Sequence, residues 1–113
     1  MLKYVIIVAG GKGERMGAQI PKQFLQLKGR PILMHTIEKF TTTFSEIQII
    51  LALPNNQMNY WEALCKEHSF YIVHQVVSGG ETRFHSVKNA LKHVHKEGVV
   101  AVHDGVRPLV STT

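Results

Sequence analysis

Four short segments of the chain are almost entirely apolar and rich in β-branched residues. They are residues 3–9, 47–53, 71–77 and 98–103. Apolar runs of this length are typical of strands covered on both faces, as in a parallel sheet. Because parallel strands need long crossover connections, usually helices, the sequence predicts an α/β fold with helices on both faces of a mostly parallel sheet.

Helical spacing in the three intervening stretches supports this prediction. Pro31 can open the first helix, the second follows Pro54, and Thr82 can cap the third. Apolar side chains recur every three or four residues in each stretch, as on one face of a helix. The positions of these stripes are Leu33, Ile37 and Phe40 in the first helix, Trp61, Leu64, Cys65 and His68 in the second, and Phe84, Val87, Leu91 and Val94 in the third.

The strand order can also be predicted. In the common doubly wound arrangement it is 3-2-1-4, which makes the first and fourth strands neighbours and places ligands at their carboxyl ends. A glycine-rich loop follows the first strand, and VHDGVRP, residues 102–108, ends the fourth. We therefore expect the two motifs to face each other across one crevice. Since residues 104–113 alone follow the fourth strand, we expect a missing C-terminal part or a partner to cover its outer edge.

Composition places the 113 residues in the range of one soluble globular domain, with 44% hydrophobic and 19% charged residues. The single cysteine, Cys65, excludes an intramolecular disulfide and indicates a reducing compartment, most simply the cytoplasm. The N-terminus has no signal-peptide pattern, and no apolar run has the length needed to cross a membrane. The formal charge of +5 is scattered without interleaved aromatic residues, so it favours a small polyanion over a nucleic acid.

The loop after the first strand, within IVAGGKGERMGAQIPKQF at residues 7–24, has the composition of a phosphate site. Glycine lets backbone N–H groups approach an anion closely, and lysine and arginine add full charges. A tight turn with solvated cations is the alternative, but this density at a strand's carboxyl end favours phosphate binding. The residues concerned are Gly10, Gly11, Gly13 and Gly17 with Lys12, Arg15 and Lys22.

Two better-known glycine loops do not match. The P-loop requires Gly-Lys-Ser or Gly-Lys-Thr, whereas Lys12 is followed by glycine. The dinucleotide fingerprint requires a third glycine where this chain has Met16, and the second strand ends in Leu53 and Pro54 without an acid for a ribose. The loop is therefore neither of these motifs.

Two further motifs lie near strand ends. Asp104 follows a buried strand at the expected crevice and suits Mg²⁺, which takes one or two carboxylates together with substrate phosphates. The alternatives are a turn cap or a pair with Arg107, and the phosphate loop opposite favours the metal. SGGETRFHSV, residues 78–87, could bind a ribose or a base edge, although on composition alone an ordinary loop capped by Thr82 is preferred.

The chain's seven histidines do not predict a zinc site. His93 and His95 point to different faces of a helix, and the others do not cluster at ligand spacing. Cys65 lies beside Leu64 on an apolar helix face, which indicates a core residue and not a nucleophile.

AGGKGERMGAQIPKQF, GGETRFHSV and VHDGVRPLVS together resemble the nucleotidyltransferases that make CDP-alcohols, most closely the 2-C-methyl-D-erythritol 4-phosphate cytidylyltransferases of isoprenoid precursor synthesis. The resemblance covers the whole chain and implies a Rossmann-like three-layer αβα nucleotidyltransferase fold. Family chains are about twice this length. The resemblance therefore implies the CTP-binding half of one domain, without the part that binds the erythritol phosphate and carries the β-arm through which two subunits join.

The resemblance also implies roles for particular residues. Arg15 and Lys22 would stabilise charge on the phosphates while the acceptor phosphate attacks the α-phosphorus of CTP, and Asp104 would engage Mg²⁺. Arg83 would support the loop that contacts the base. The remaining nucleotide-binding residues would be Ala9, Gly10, Gly11, Lys12 and Gly13 around the triphosphate, and Gly80, Glu81, Ser86 and Gly105 around the cytosine and ribose.

Alternatives to this assignment remain open. Ribitol-5-phosphate cytidylyltransferases share the loop and an HDxxRP-like motif, although residues 83–87, RFHSV, look more like the erythritol enzymes. A nucleotide-binding module without catalysis is the other alternative. The family commonly has AAG and HDAARP where this chain has VAG and HDGVRP, and both changes are small.

Overall fold

The computed structural model describes residues 3–9, 24–80, 82–94 and 98–104. The two central strands of its main sheet are β1 (Lys3–Val8) and β4 (Gln48–Leu53), with β5 (Gln75–Ser78) and β6 (Val99–Asp104) outside them. Their order is β5-β4-β1-β6, and all three pairings are parallel. The predicted order 3-2-1-4 and the parallel sheet are thus confirmed.

Helices cover both faces of the sheet, as predicted. Alternate β1 side chains point to opposite faces: Val5 and Ile7 pack with α1 (Ile32–Thr43) and α2 (Met58–Glu67). Ile6 lies on the other face in a second buried cluster with Ala90 of α3 (Arg83–Leu91). This arrangement explains why the strand sequences are continuously apolar. None of the helices in the described part of the chain combines the length and the apolar character that spanning a bilayer requires.

A short hairpin precedes α1 and was not predicted. Its strands are β2 (Gln26–Leu27) and β3 (Arg30–Pro31), joined by Lys28 and Gly29. Both joining residues have positive φ, +55° and +87°, as in the two-residue type I′ turn that suits the twist of a hairpin. Pro31 then directly precedes α1, in agreement with the predicted helix start.

The third predicted strand, residues 71–77, is wrong in its first half. The ladder with β4 begins at the pair Ile50 and Gln75, while Tyr71 and Val73 are 75% and 90% exposed. The His74 ring accepts a hydrogen bond from the Trp61 indole N–H at 3.0 Å, and its other nitrogen lies 2.7 Å from the Ile72 carbonyl oxygen. These contacts tie the segment to α2 instead of to β4.

The predicted apolar face of α3 is also partly wrong. Phe84 and Leu91 are 68% and 45% exposed, whereas Ser86 and Ala90 are buried against the sheet. The buried residues are small because α3 approaches the glycine turn after β5 very closely. Val87 and Val94 do pack against the core as predicted, although α3 ends before Val94.

Cys65 packs against the core cluster on the inner side of α2, as the sequence indicated. Burial, with a smaller contribution from the Glu62 carboxylate, raises the pKa of the Cys65 thiol to about 11 from its ordinary value of 9.0. The neutral thiol is therefore the form that the folded chain favours.

We expect Cys65 at pH 8 to react with iodoacetamide at least about tenfold more slowly than an unhindered cysteine peptide, because the thiolate is scarce. Since folding raises this pKa, its contribution to stability is complete below the ordinary thiol value and is lost as pH rises through about 9 to 11. Mass spectrometry of the labelled chain measures the rate of alkylation. Urea unfolding across this pH range measures the change in stability, with Cys65→Ala as its control. Labelling as fast as the peptide would contradict the assignment.

Candidate nucleotide-binding site

The carboxyl ends of β1 and β6 lie side by side at one edge of the sheet. In the parallel register between the two strands, Val8 is the partner of Asp104. Ala9 follows, is 1% exposed, and donates its backbone N–H to the Ala52 carbonyl oxygen at 3.0 Å. The start of the glycine loop and the backbone of the HD motif are therefore neighbours, as the strand order predicted.

The far end of the glycine loop is anchored in the core. Phe24 is 3% exposed, and its ring is stacked against that of Trp61 with centroids 6.0 Å apart. Tyr60 contacts the same ring edge-on at 5.0 Å. Ala9 and Phe24, the described residues on either side of this loop, belong to one buried cluster.

Most of the predicted phosphate-contacting residues lie outside the described residues, so their roles stay predictions. The same holds for two residues assigned to the base and ribose. These residues are Gly10, Gly11, Lys12, Gly13, Arg15, Gly17 and Lys22 in the loop, and Glu81 and Gly105 near the base.

The turn after β5 is described in full up to Gly80. The Gly79 N–H donates to the Leu53 carbonyl oxygen at 2.6 Å, and the Gly80 N–H donates to Ser86 Oγ at 3.0 Å. Both donors of the glycine pair are therefore engaged within the protein. The Gly79 carbonyl oxygen accepts a hydrogen bond from Ser78 Oγ at 3.4 Å.

The two glycines allow α3 to lie against this turn. A Cβ at Gly80 would lie 2.2 Å from His85 Cβ, and one at Gly79 would lie 3.0 Å from Ser86 Oγ. The structure shows that the first N-terminal turn of α3 occupies the space that a side chain at Gly80 would need.

Residues of the predicted base loop are brought together at the start of α3. Thr82 caps the helix as predicted, since Thr82 Oγ1 accepts the His85 backbone N–H at 3.2 Å. Ser86 is 7% exposed and faces the glycine turn. Arg83 is the first residue of α3 and is exposed. Its proposed support of the loop stays a prediction.

Asn89 also contacts this turn and was missed by the sequence analysis. Its side-chain amide donates to the Ser78 carbonyl oxygen at 2.9 Å. The available signal was its spacing of three residues from Ser86, which places both on one side of α3. Nothing in the sequence indicated that this side would meet a backbone carbonyl.

Asp104 is the predicted magnesium ligand, and this role stays a prediction. Its backbone ends β6 beside the start of the glycine loop, where bound phosphates would be expected. Within the described ranges, no three His, Cys, Asp or Glu side chains lie close enough to form a metal cage. A single carboxylate is compatible with Mg²⁺, because that ion usually completes its shell with waters and phosphates.

With this geometry in place, comparison with known proteins identifies the family. The family model for 2-C-methyl-D-erythritol 4-phosphate cytidylyltransferase matches residues 3–113, nearly the whole sequence. The chain belongs to this family. A cytidylyltransferase of that name from Bacteroides thetaiotaomicron is 58% identical over 98% of the chain, and one from Azobacteroides pseudotrichonymphae is 62% identical over 96%.

Solved structures agree with the family assignment. The crystal structure of 4-diphosphocytidyl-2C-methyl-D-erythritol synthase from Anaerococcus prevotii matches 97% of the chain with a TM-score of 0.74 and 26% identity. The chain spans about half the length of the curated cytidylyltransferases that it matches, 51% of the Bacteroides protein and 49% of the Azobacteroides protein. The α/β fold and the membership of a nucleotidyltransferase family, predicted from the sequence motifs, are confirmed.

Proposed function

We propose that this chain forms the CTP-binding part of a cytidylyltransferase that transfers CMP from CTP to 2-C-methyl-D-erythritol 4-phosphate and releases pyrophosphate. This reaction belongs to isoprenoid precursor synthesis by the non-mevalonate pathway. The observation that carries the proposal is the family match over residues 3–113. The relatives that are 58% and 62% identical bear the name of this activity.

The described geometry supports binding of a nucleotide base at the turn after β5. The N–H groups of Gly79 and Gly80 are engaged, so the turn would contact a base through its carbonyl oxygens, each of which can accept two hydrogen bonds. The exocyclic amino group of cytosine is a donor, whereas uracil has an acceptor at the same place. The family resemblance assigns contacts with the cytosine and the ribose to Gly80, Glu81, Ser86 and Gly105.

The proposed chemistry needs positioning and cationic stabilisation but no protein nucleophile. The acceptor's phosphate oxygen forms a bond to the α-phosphorus of CTP, and the bond to the departing pyrophosphate breaks. Arg15 and Lys22 would stabilise the negative charge that builds up on the phosphates. The triphosphate would be enclosed by Ala9, Gly10, Gly11, Lys12 and Gly13.

Mg²⁺, when bound, would neutralise phosphate charge and align the triphosphate. Asp104 would be its protein ligand, with the remaining positions taken by phosphate oxygens and water. This role rests on the position of Asp104 beside the loop that begins after Ala9.

Pyrophosphate release tests the proposal directly. The full-length protein, with the acceptor-binding part that the family resemblance implies, is mixed with CTP, Mg²⁺ and either 2-C-methyl-D-erythritol 4-phosphate or ribitol 5-phosphate. We expect release that depends on the erythritol phosphate. Release with ribitol 5-phosphate alone would favour the ribitol-5-phosphate cytidylyltransferases, and CTP binding without release with either acceptor would favour a nucleotide-binding module without catalysis.

We expect Asp104→Asn to reduce the enhancement of CTP affinity by Mg²⁺ about tenfold, because the amide removes the anionic ligand. Calorimetric titrations with CTP, with and without Mg²⁺, measure this enhancement. Glu67→Gln makes the same chemical change at an exposed position of α2 and is the control. An unchanged Mg²⁺ effect in Asp104→Asn would return this residue to a structural role.

Three further predictions concern the whole protein. The family resemblance implies a homodimer joined through a β-arm outside the present sequence. The single cysteine favours the cytoplasm. The scattered positive charge favours small phosphorylated substrates over nucleic acid as partners, and no apolar run in the sequence predicts a membrane span.

A further inference from the structure

We propose that Asn89 is a positioning residue for base selection, acting through the turn formed by Ser78, Gly79 and Gly80. This inference rests on the proposed function, because it assumes that the turn contacts the base of the nucleotide. Asn89 itself lies on α3, two turns into the helix, and is one of the residues that the family resemblance did not assign.

Asn89 is the donor in its hydrogen bond with the Ser78 carbonyl oxygen. A backbone carbonyl oxygen only accepts hydrogen bonds, so the Asn89 atom 2.9 Å from the Ser78 oxygen must be the amide nitrogen. Asn89 is partly buried, which limits competition from water. Its side chain thus ties the last residue of β5 to the helix that follows the turn.

Asn89 and Ser86, both on α3, bind the same turn. Ser86 Oγ accepts the Gly80 N–H at 3.0 Å, two residues beyond the carbonyl that Asn89 binds. One side chain of α3 therefore fixes an acceptor at the start of the turn, and another fixes a donor at its end. Gly79, between them, donates to Leu53 and is fixed to β4.

The hydrogen bonds from Asn89 and Ser86 affect how the turn would recognise a ligand, because they hold its backbone in one conformation. The turn can discriminate an amino group from a carbonyl group only if its own carbonyl oxygens keep their direction. Loss of the Asn89 contact would leave the peptide group between Ser78 and Gly79 held by the Gly79 N–H alone, while the rest of α3 stays packed through Ala90. The turn would then be able to adapt to the wrong base, so base preference should fall more than stability alone would explain.

The test compares CTP and UTP binding by calorimetry for the parent chain, Asn89→Ala and Asn89→Asp at a temperature where all are folded. The aspartate keeps the shape of the side chain but cannot donate. Because it also adds a negative charge that acts on CTP and UTP alike, the ratio of the two affinities is the readout that separates the hydrogen bond from packing. Asn59→Ala makes the same truncation at an exposed position of α2 and is the matched control. Thermal unfolding of each variant is measured separately.

We expect both Asn89 variants to weaken CTP binding about three- to tenfold and to lower the ratio of CTP to UTP affinity, while Asn59→Ala matches the parent. Variants that only unfold at lower temperature, with parental affinities and an unchanged ratio, would overturn the inference. So would an equal loss for CTP and UTP. A parent chain that binds neither nucleotide would overturn the proposed nucleotide site, and this inference with it, before any variant is compared.

Discussion

Replacement of Trp61 by alanine is expected to lower the free energy of unfolding by about 3–5 kcal/mol, the usual loss for a large buried aromatic residue. Trp61 is 2% exposed and contacts the rings of Phe24, Phe70 and His74. Its indole N–H also donates to His74. The alanine variant would lose both the packing and this hydrogen bond, and His74 would be left without its donor.

Urea unfolding followed by circular dichroism measures this loss. Trp61→Phe retains an aromatic ring but removes the N–H donor, so it should cost about 1–3 kcal/mol. Tyr71→Ala truncates an aromatic residue that is 75% exposed and should change stability by less than about 0.5 kcal/mol. Trp61→Ala with a stability within about 1 kcal/mol of the parent would show that α2 is not anchored as described.

Arg15→Ala is expected to weaken CTP binding by about 10- to 100-fold, because a guanidinium paired with phosphate is worth about 1.5–3 kcal/mol. Arg15 is assigned to the triphosphate from its place in the glycine loop and from the family resemblance. The Arg15→Ala variant should unfold at the same urea concentration as the parent, since we assign Arg15 to ligand binding and not to the hydrophobic core.

Arg30→Ala is the matched control for the lost charge. Arg30 lies in β3 and forms an ion pair with Glu38 of α1, with both side chains partly exposed. An exposed pair of this kind contributes at most about 1 kcal/mol to stability. We expect CTP affinity to change by less than about twofold in Arg30→Ala. An equally small change in Arg15→Ala would remove Arg15 from the phosphate site.

The architecture was predictable because parallel strands buried on both faces leave a strong signal in the sequence. Segments such as Val5–Val8 are apolar at every position, since alternate side chains face α3 on one side and α1 and α2 on the other. The alternation of such strands with helices then restricts the topology to a few arrangements. In such a sheet ligands bind at the carboxyl ends of the strands, so the end of β1 could be predicted to lie at the site.

The remaining features depend on contacts between segments distant in sequence, which periodicity does not reveal. His74 leaves the strand because Trp61 provides a hydrogen-bond donor thirteen residues earlier. Phe84 is exposed because α3 turns its small residues toward the glycine turn. Asn89 acts on a backbone carbonyl eleven residues away, so its identity alone gave no indication of its role.

The central claim is that these residues form a nucleotide site selective for cytosine. The most direct measurement is calorimetric titration of the chain with CTP, UTP, ATP and GTP, each with and without Mg²⁺. We expect saturable CTP binding that is strengthened by Mg²⁺, and weaker or absent binding of the other three nucleotides. A folded chain that binds no CTP, or that binds all four nucleotides equally, would contradict this claim.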